Sequence, residues 1–177
     1  KLVTLLDDQP VHALVNNAGI SPKQENGDRL DTLTTDQSIW AEVLQVNLLA
    51  PALLTRRLTK SLQKGQGAVV NVTSIAGTRV HRFAGPAYAA SKAALSTLTR
   101  ELASDLGGLG IRVNAVSPGE IKTEMLSVAT ADEMIHDIPL HRLGDVEEVA
   151  SAIYFLCCGS ASYINGAEIE INGGQHV

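Results

Sequence analysis

The sequence predicts an α/β fold in which a parallel sheet is covered by helices on both faces. Three observations carry this reading. Strand-like and helix-like segments alternate along the chain, the strand-like ones are apolar throughout rather than at every second position, and turn residues follow each of them. In sheets of this kind ligands bind outside the carboxyl ends of the strands, so the turns after the strands are where chemistry is expected.

The elements run in order along the chain. "VHALVNNAG" gives a buried strand over Val11 to Val15 that ends in turn residues. Residues 32 to 64 carry a helical pattern with Thr35 or Asp36 as N-cap and Gly65 as stop, its apolar face running through Ile39, Val43, Val46, Leu49 and Leu53. Pro51 lies within that pattern and predicts a kink. "GAVVNVTSIAG" supplies a second strand, Ala68 to Val72, and a helix runs from about Ala87 to Leu106 until "GGLG" stops it. "IRVNAVSPG" is the third strand. The stretch after it, as far as Pro139, is irregular apart from a short helix expected around Ala131 to His136. "DVEEVASAIYFLCC" is a helix opened by Asp145, and "AEIEING" is the last strand. No repeat, low-complexity tract or linker divides the chain, so residues 1 to 177 read as one domain.

Composition narrows the function. A chain of 177 residues that is 45% hydrophobic can bury a real core. A formal charge of -5 without a cationic stripe argues against nucleic acid as a partner. No run approaches the ~20 apolar residues of a membrane span, and the first residues lack the pattern of a signal peptide. The expectation is therefore no membrane and a cytoplasmic location. Cys157 and Cys158 are helix neighbours that point about 100° apart, which makes a mutual bridge unfavourable and core filling their expected role. The five histidines, at 12, 81, 136, 141 and 176, have no metal-ligand spacing, so no metal is expected.

"YAASK" places Tyr88 four residues before Lys92, on one face of the predicted helix. A phenol has a reference pKa of about 10, and a nearby ammonium favours its ionised form, so the pair can pass a proton near neutral pH. Ser74 in "TSIAG" offers a hydroxyl, with Thr73 as a neighbouring rival. Taken alone, each of these residues could be a turn or surface residue.

Together the stations form a pattern. "NNAG" at 16 to 19, "VNLLAP" at 46 to 51, "NVTSIAG" followed by "YAASK" within 71 to 92, and "SPGEIKTEM" at 117 to 125 resemble the short-chain dehydrogenases/reductases. The tail "RLGDVEEVASAIYFL…INGAEIEINGG" fits the same family, so the resemblance spans essentially the whole chain. It implies a Rossmann-like doubly wound parallel sheet, of which this chain is the C-terminal portion. It also implies an oxidoreductase that moves hydride between NAD or NADP and a carbonyl or secondary-alcohol substrate.

Carried over residue by residue, the family's catalytic tetrad falls on Asn47, Ser74, Tyr88 and Lys92. Tyr88 would be the acid/base, Lys92 would tune it and hold the nicotinamide ribose, Ser74 would hold the substrate oxygen, and Asn47 would hold a water linking Lys92 to solvent. The cofactor residues implied are Asn16, Ala18 and Gly19 toward the adenosine side, Tyr88 and Lys92 at the ribose, and Pro118, Gly119, Ile121 and Thr123 toward the nicotinamide end. His81, Arg82, Phe83 and the stretch from Met125 to His136 stand where the family builds its substrate pocket.

The tail resembles 3-oxoacyl-carrier-protein reductases and polyol or sugar dehydrogenases about equally. Rival readings are a dehydratase or epimerase of the wider superfamily and a non-catalytic binding module. The resemblance further implies a homotetramer joined through the long helices and the last helix and strand. The family normally opens with a glycine-rich βαβαβ half. Residues 1 to 9 read instead as the tail of a helix before the first strand, and the residue that selects NAD or NADP would lie in the absent half.

Overall fold

The computed structural model describes residues 6, 9–123 and 134–177. The helical tail expected over residues 1 to 9 falls mostly outside these. So does most of the short helix expected around Ala131 to His136, of which residues 134–136 are helical. Four strands, β1 (Ala13–Asn16), β2 (Ala68–Val72), β3 (Arg112–Pro118) and β4 (Glu168–Ile171), form one sheet in the order β1-β2-β3-β4. All neighbours are parallel, with Val15 beside Val70, Val69 beside Val113, and Val116 beside Ile169. β1 starts two residues later than the apolar run suggested, because "VH" ahead of it is used to meet the long helix that follows, near its C-terminal end: the Val11 N–H donates to the Ser61 carbonyl.

The helices are α1 (Gln37–Leu44), a π-helical turn (Gln45–Leu49), α2 (Ala50–Gly65), α3 (Pro86–Gly107) and α4 (Val146–Cys157). Asp36 is the N-cap of α1, its carboxylate accepting the Ile39 N–H at 3.0 Å. Pro86 opens α3 at a position where a missing N–H costs nothing. Asp145 and Glu148 form a capping box at the start of α4.

Because alternate residues of a strand point to opposite faces, the sheet has two cores. On one face Val69 and Val113 pack with Leu58 and Leu62 of α2, Ala103 of α3 and Ile111. On the other Val70, Val72 and Val116 pack with Leu156 of α4, Ala161 and the half-buried Val149 and Ile153. Cys157 joins this second cluster, whereas Cys158 is half-buried at the helix end without a place in it, so only one of the two thiols fills core.

The long helix is irregular just ahead of Pro51. A proline in an α-helix lacks the N–H for the carbonyl four residues earlier and its ring presses on that carbonyl, which here belongs to Asn47. The chain widens into a π turn just ahead of the proline, with the Ala50 N–H donating to the Gln45 carbonyl. The extra residue rotates the remainder of the helix, so the buried stripe runs through Val43, Asn47, Pro51, Thr55, Leu58 and Leu62. Leu49 and Leu53, expected on the apolar face, are each 46% exposed. By length and composition the continuous stretch Gln37–Gly65 could also cross a membrane, against the expectation that no segment could, yet its buried stripe lies on the protein.

Two glycines hold the junction between α2 and β2 against the chain before β1. A Cβ built on Gly65 would stand 2.3 Å from the Val11 carbonyl oxygen, and one on Gly67 2.5 Å from the same atom. Backbone cannot yield as a flexible side chain does. Gly65→Ala should therefore lower the unfolding free energy by about 1–3 kcal/mol. Gly108→Ala, where a Cβ meets nothing within 4 Å, should stay within about 0.5 kcal/mol. Urea denaturation of the two variants decides it, and equal midpoints would contradict the steric account.

Candidate active site

The residues of interest gather at the carboxyl ends of β1, β2 and β3. Ser74, two residues beyond β2, caps a short 3-10 turn with its hydroxyl accepting the Ala76 N–H at 3.2 Å. Tyr88 stands in the first turn of α3, and its phenol shares a cavity wall with the Ser74 hydroxyl. Lys92 follows one helical turn later and is 4% exposed. Its ammonium donates to the Val72 carbonyl at 2.7 Å and lies 5.6 Å from the centroid of the Tyr88 ring. Thr73, the rival hydroxyl, is turned away: it donates to the Val116 carbonyl at 2.8 Å and contacts Glu168.

Asn47 is wholly buried in the π turn. Its oxygen accepts the Ile20 N–H at 2.9 Å, and its amide donates to the Ile20 carbonyl and to the Ser91 hydroxyl, both at 3.0 Å. Ser91 donates onward to the Tyr88 carbonyl at 2.7 Å. Both amide hydrogens are thus used, and the side chain itself has no donor left for a water. Gly19 completes the cluster, since a Cβ there would lie 3.4 Å from both the Asn47 oxygen and the Lys92 nitrogen.

A cavity of about 580 Å³ opens over these residues. Its polar side holds Asn17, Ser74, Tyr88 and Lys92, its floor Pro118, Gly119, Ile121 and Thr123, and its apolar side Val15, Val72 and residues of α4 including Val146, Val149 and Ile153. Of the cofactor residues inferred from sequence, Gly19, Tyr88, Lys92, Pro118, Gly119, Ile121 and Thr123 line it. Asn16 and Ala18 do not. The Asn16 amide points into the helix-covered face, donating to Asn71 at 2.8 Å, and Asn71 donates to Thr99 of α3 at 2.9 Å. Asn17, Ile20, Ser21 and the α4 valines were missed. Alternation in β1 makes Asn17 face opposite to Asn16 and could have shown the first, but nothing local marks the apolar wall of α4 as part of a site.

A family model described as enoyl-(acyl carrier protein) reductase matches residues 6–176. The chain belongs to the short-chain dehydrogenase/reductase family. It is 57% identical over 168 residues to protein FixR of Bradyrhizobium diazoefficiens, covering 95% of this chain and 60% of that protein. It is 39% identical to the galactitol 2-dehydrogenase (L-tagatose-forming) of Cereibacter sphaeroides, covering 95% of this chain and 66% of that enzyme. A crystal structure of a family oxidoreductase from Brucella ovis in complex with a partially ordered NAD matches at 51% identity and a TM-score of 0.79, over 97% of this chain and 70% of that one. The chain thus spans about 60% of the length of the first of these relatives.

The electrostatics of this short-chain dehydrogenase/reductase site refine the sequence expectation. Burial pushes the Tyr88 phenol above its usual value, the Ser74 hydroxyl draws it back, and the Glu120 carboxylate raises it further. Burial lowers Lys92 itself to about 8. A lysine with a folded pKa below its unfolded value of about 10.5 carries a burial cost that is present at low pH and disappears as pH rises between the two. Its contribution to stability therefore improves from about pH 8 toward pH 10.5. Carbon-13 NMR of labelled lysines should show one Cε titrating near pH 8 and absent from Lys92→Met. A set of lysines all titrating above pH 10 would contradict the desolvated environment.

Proposed function

We propose that the protein containing this chain is an oxidoreductase that moves hydride between a nicotinamide dinucleotide and a carbonyl or secondary-alcohol substrate. One observation carries the reading: a phenol, a serine hydroxyl and a desolvated ammonium share the wall of one cavity at the carboxyl edge of a parallel sheet. The residues fit a dinucleotide. The backbone is bare at Gly19 beside Lys92 and at Gly119 on the floor, and much of the remaining lining is apolar, as a flat ring requires. Lys92, Asn17, Ile121 and Thr123 would hold the cofactor, which supplies or accepts the hydride.

The chain's own residues do the rest. Ser74 donates to the substrate oxygen as it gains alkoxide character, in a setting where low dielectric strengthens the bond. Tyr88 gives its proton to that oxygen in reduction and takes it back in oxidation. Lys92 holds its charge beneath the phenol ring. NAD is favoured over NADP by the NAD named in the Brucella ovis structure. Tyr88→Phe should lower kcat by about 10²–10⁴-fold, the usual worth of a positioned acid/base, while leaving cofactor affinity within about threefold. Lys92→Ala should damage both. Steady-state kinetics with cofactor fluorescence titration on the full-length protein tests this, and turnover retained in the phenylalanine variant would remove Tyr88 from its role.

We also infer a homotetramer located in the cytoplasm. Support for the assembly comes from exposed apolar side chains on the helices the family uses for contact: Leu49 and Leu53 beside the π turn, and Tyr154 and Phe155, 73% and 40% exposed, on α4. Two thiols left unbridged at Cys157 and Cys158 suit a reducing compartment. Light scattering of the full-length protein should give four times the chain mass, and a monomer would count against the assembly.

A further inference from the structure

Glu168 is a carboxylate that the proposed hydride chemistry does not use. It belongs to β4, whose Ile169 and Ile171 turn toward α4 and the second core. Alternation along the strand turns Glu168 to the opposite face, over α3. There both of its oxygens are taken by hydroxyls: Oε1 accepts from Thr73 at 2.5 Å, and Oε2 accepts from Ser96. The Ser96 proton can be placed, because its oxygen accepts the Arg100 guanidinium at 3.1 Å and its one hydrogen goes to the carboxylate.

The two hydroxyls belong to the two segments that build the site. Thr73 immediately precedes Ser74, and Ser96 stands one helical turn beyond Lys92 on α3. A single side chain thus ties the segment that carries Ser74 to the helix that carries Tyr88 and Lys92. Ser74 depends on such a tie. β2 ends at Val72, and Thr73 prolongs it along β3 by donating its N–H to the Val116 carbonyl at 2.9 Å. Ser74 is extended, with φ -173° and ψ 151°, so its side chain points to the face opposite that of Thr73. Thr73 goes into the face covered by α3, and Ser74 lines the cavity. Fixing the Thr73 side chain therefore fixes the direction in which the Ser74 hydroxyl is presented.

We propose that Glu168 is a positioning residue: by holding Thr73 against α3 it sets the place of the Ser74 hydroxyl relative to the Tyr88 phenol. The proposal rests on the oxidoreductase reading, in which one substrate oxygen must bond to both groups at once. A reacting geometry misplaced by about 1 Å can cost ~10²-fold in rate, so loss of the tie is read in kcat rather than in binding of the cofactor. Glu168 touches neither substrate nor cofactor in this account, and its effect passes wholly through Ser74.

The test uses the full-length protein with NADH and a panel of ketones: 2,3-butanedione, cyclohexanone and hydroxyacetone. With the ketone that the wild type reduces fastest, Glu168→Ala should lower kcat by about tenfold and leave the NADH Kd within about threefold. Glu168→Gln, whose amide oxygen still accepts one hydroxyl, should recover most of the loss. Thr73→Val keeps the shape of its side chain, should match Glu168→Ala, and repeats the comparison if that variant no longer binds NADH. A double-mutant cycle decides the route: in a Ser74→Ala background Glu168→Ala should cost no more than about twofold, since no serine is left to place. An unchanged kcat in both Glu168→Ala and Thr73→Val, or a tenfold loss that persists without Ser74, would overturn the proposal and leave the oxidoreductase reading intact. A wild type that reduces none of the ketones would sink that reading and the role of Glu168 with it.

Discussion

The site hangs on one buried amide. Asn47 reaches the loop after β1 through both the N–H and the carbonyl of Ile20, and reaches α3 through Ser91. Three segments that are distant in sequence are thereby fixed to a single side chain: the "NNAG" turn, the long helix and the helix that carries Tyr88 and Lys92. Ser91 passes the constraint to the Tyr88 backbone directly. An amide in a fully buried position is costly unless every group is matched, so the arrangement has little freedom to drift. Pro51 sits upstream of all this in cause. By forbidding a regular turn over residue 47, it produces the π turn that carries Asn47 into the cluster.

The second constraint is desolvation. Among the described residues Lys92 has no carboxylate bonded to it, and its ammonium is stabilised by the Val72 carbonyl and the face of the Tyr88 ring. A cation held this way strengthens every other interaction in the cleft, because the same dry surroundings that lower its pKa also leave charges poorly screened. Glu120 acts on Tyr88 through that medium. Burial and the glutamate charge both favour the neutral phenol, which stays protonated in the chain as it stands.

Much of this was legible in the sequence, and the parts that were not have physical causes. The parallel sheet followed from apolar strands, and β2 was placed to the residue because both of its faces are buried. Helix α3 was placed within about a residue because Pro86 and the run of glycines after it leave little choice. The buried face of the long helix was misplaced, since counting apolar residues selects Leu49 and Leu53. The π turn gives the interior to Asn47, Pro51 and Thr55 instead. Asn16 was expected near cofactor, but register puts its amide opposite Asn71, where two asparagines and Thr99 satisfy one another. The tyrosine, lysine and serine were readable because their chemistry is tied to spacing within one helix and one turn. The α4 wall was not, because it comes from a helix some sixty residues further along the chain.

That wall completes the physical logic of the cleft. Val146, Val149 and Ile153 of α4 line the same cavity as Ser74, Tyr88 and Lys92, together with Val15 and Val72. A cleft polar on both walls would stay wet, and water would screen Lys92 and compete with substrate for the Ser74 and Tyr88 hydroxyls. One apolar wall prevents this at no cost in unsatisfied groups. It also ties α4 to function as well as to stability, since the same helix buries Leu156 in the second core. Rotating α4 by one residue would move those side chains off the cleft and the core together. The capping box of Asp145 and Glu148, with Arg142 clamped on Glu148 at 2.6 Å, fixes where the helix begins and so holds that rotation.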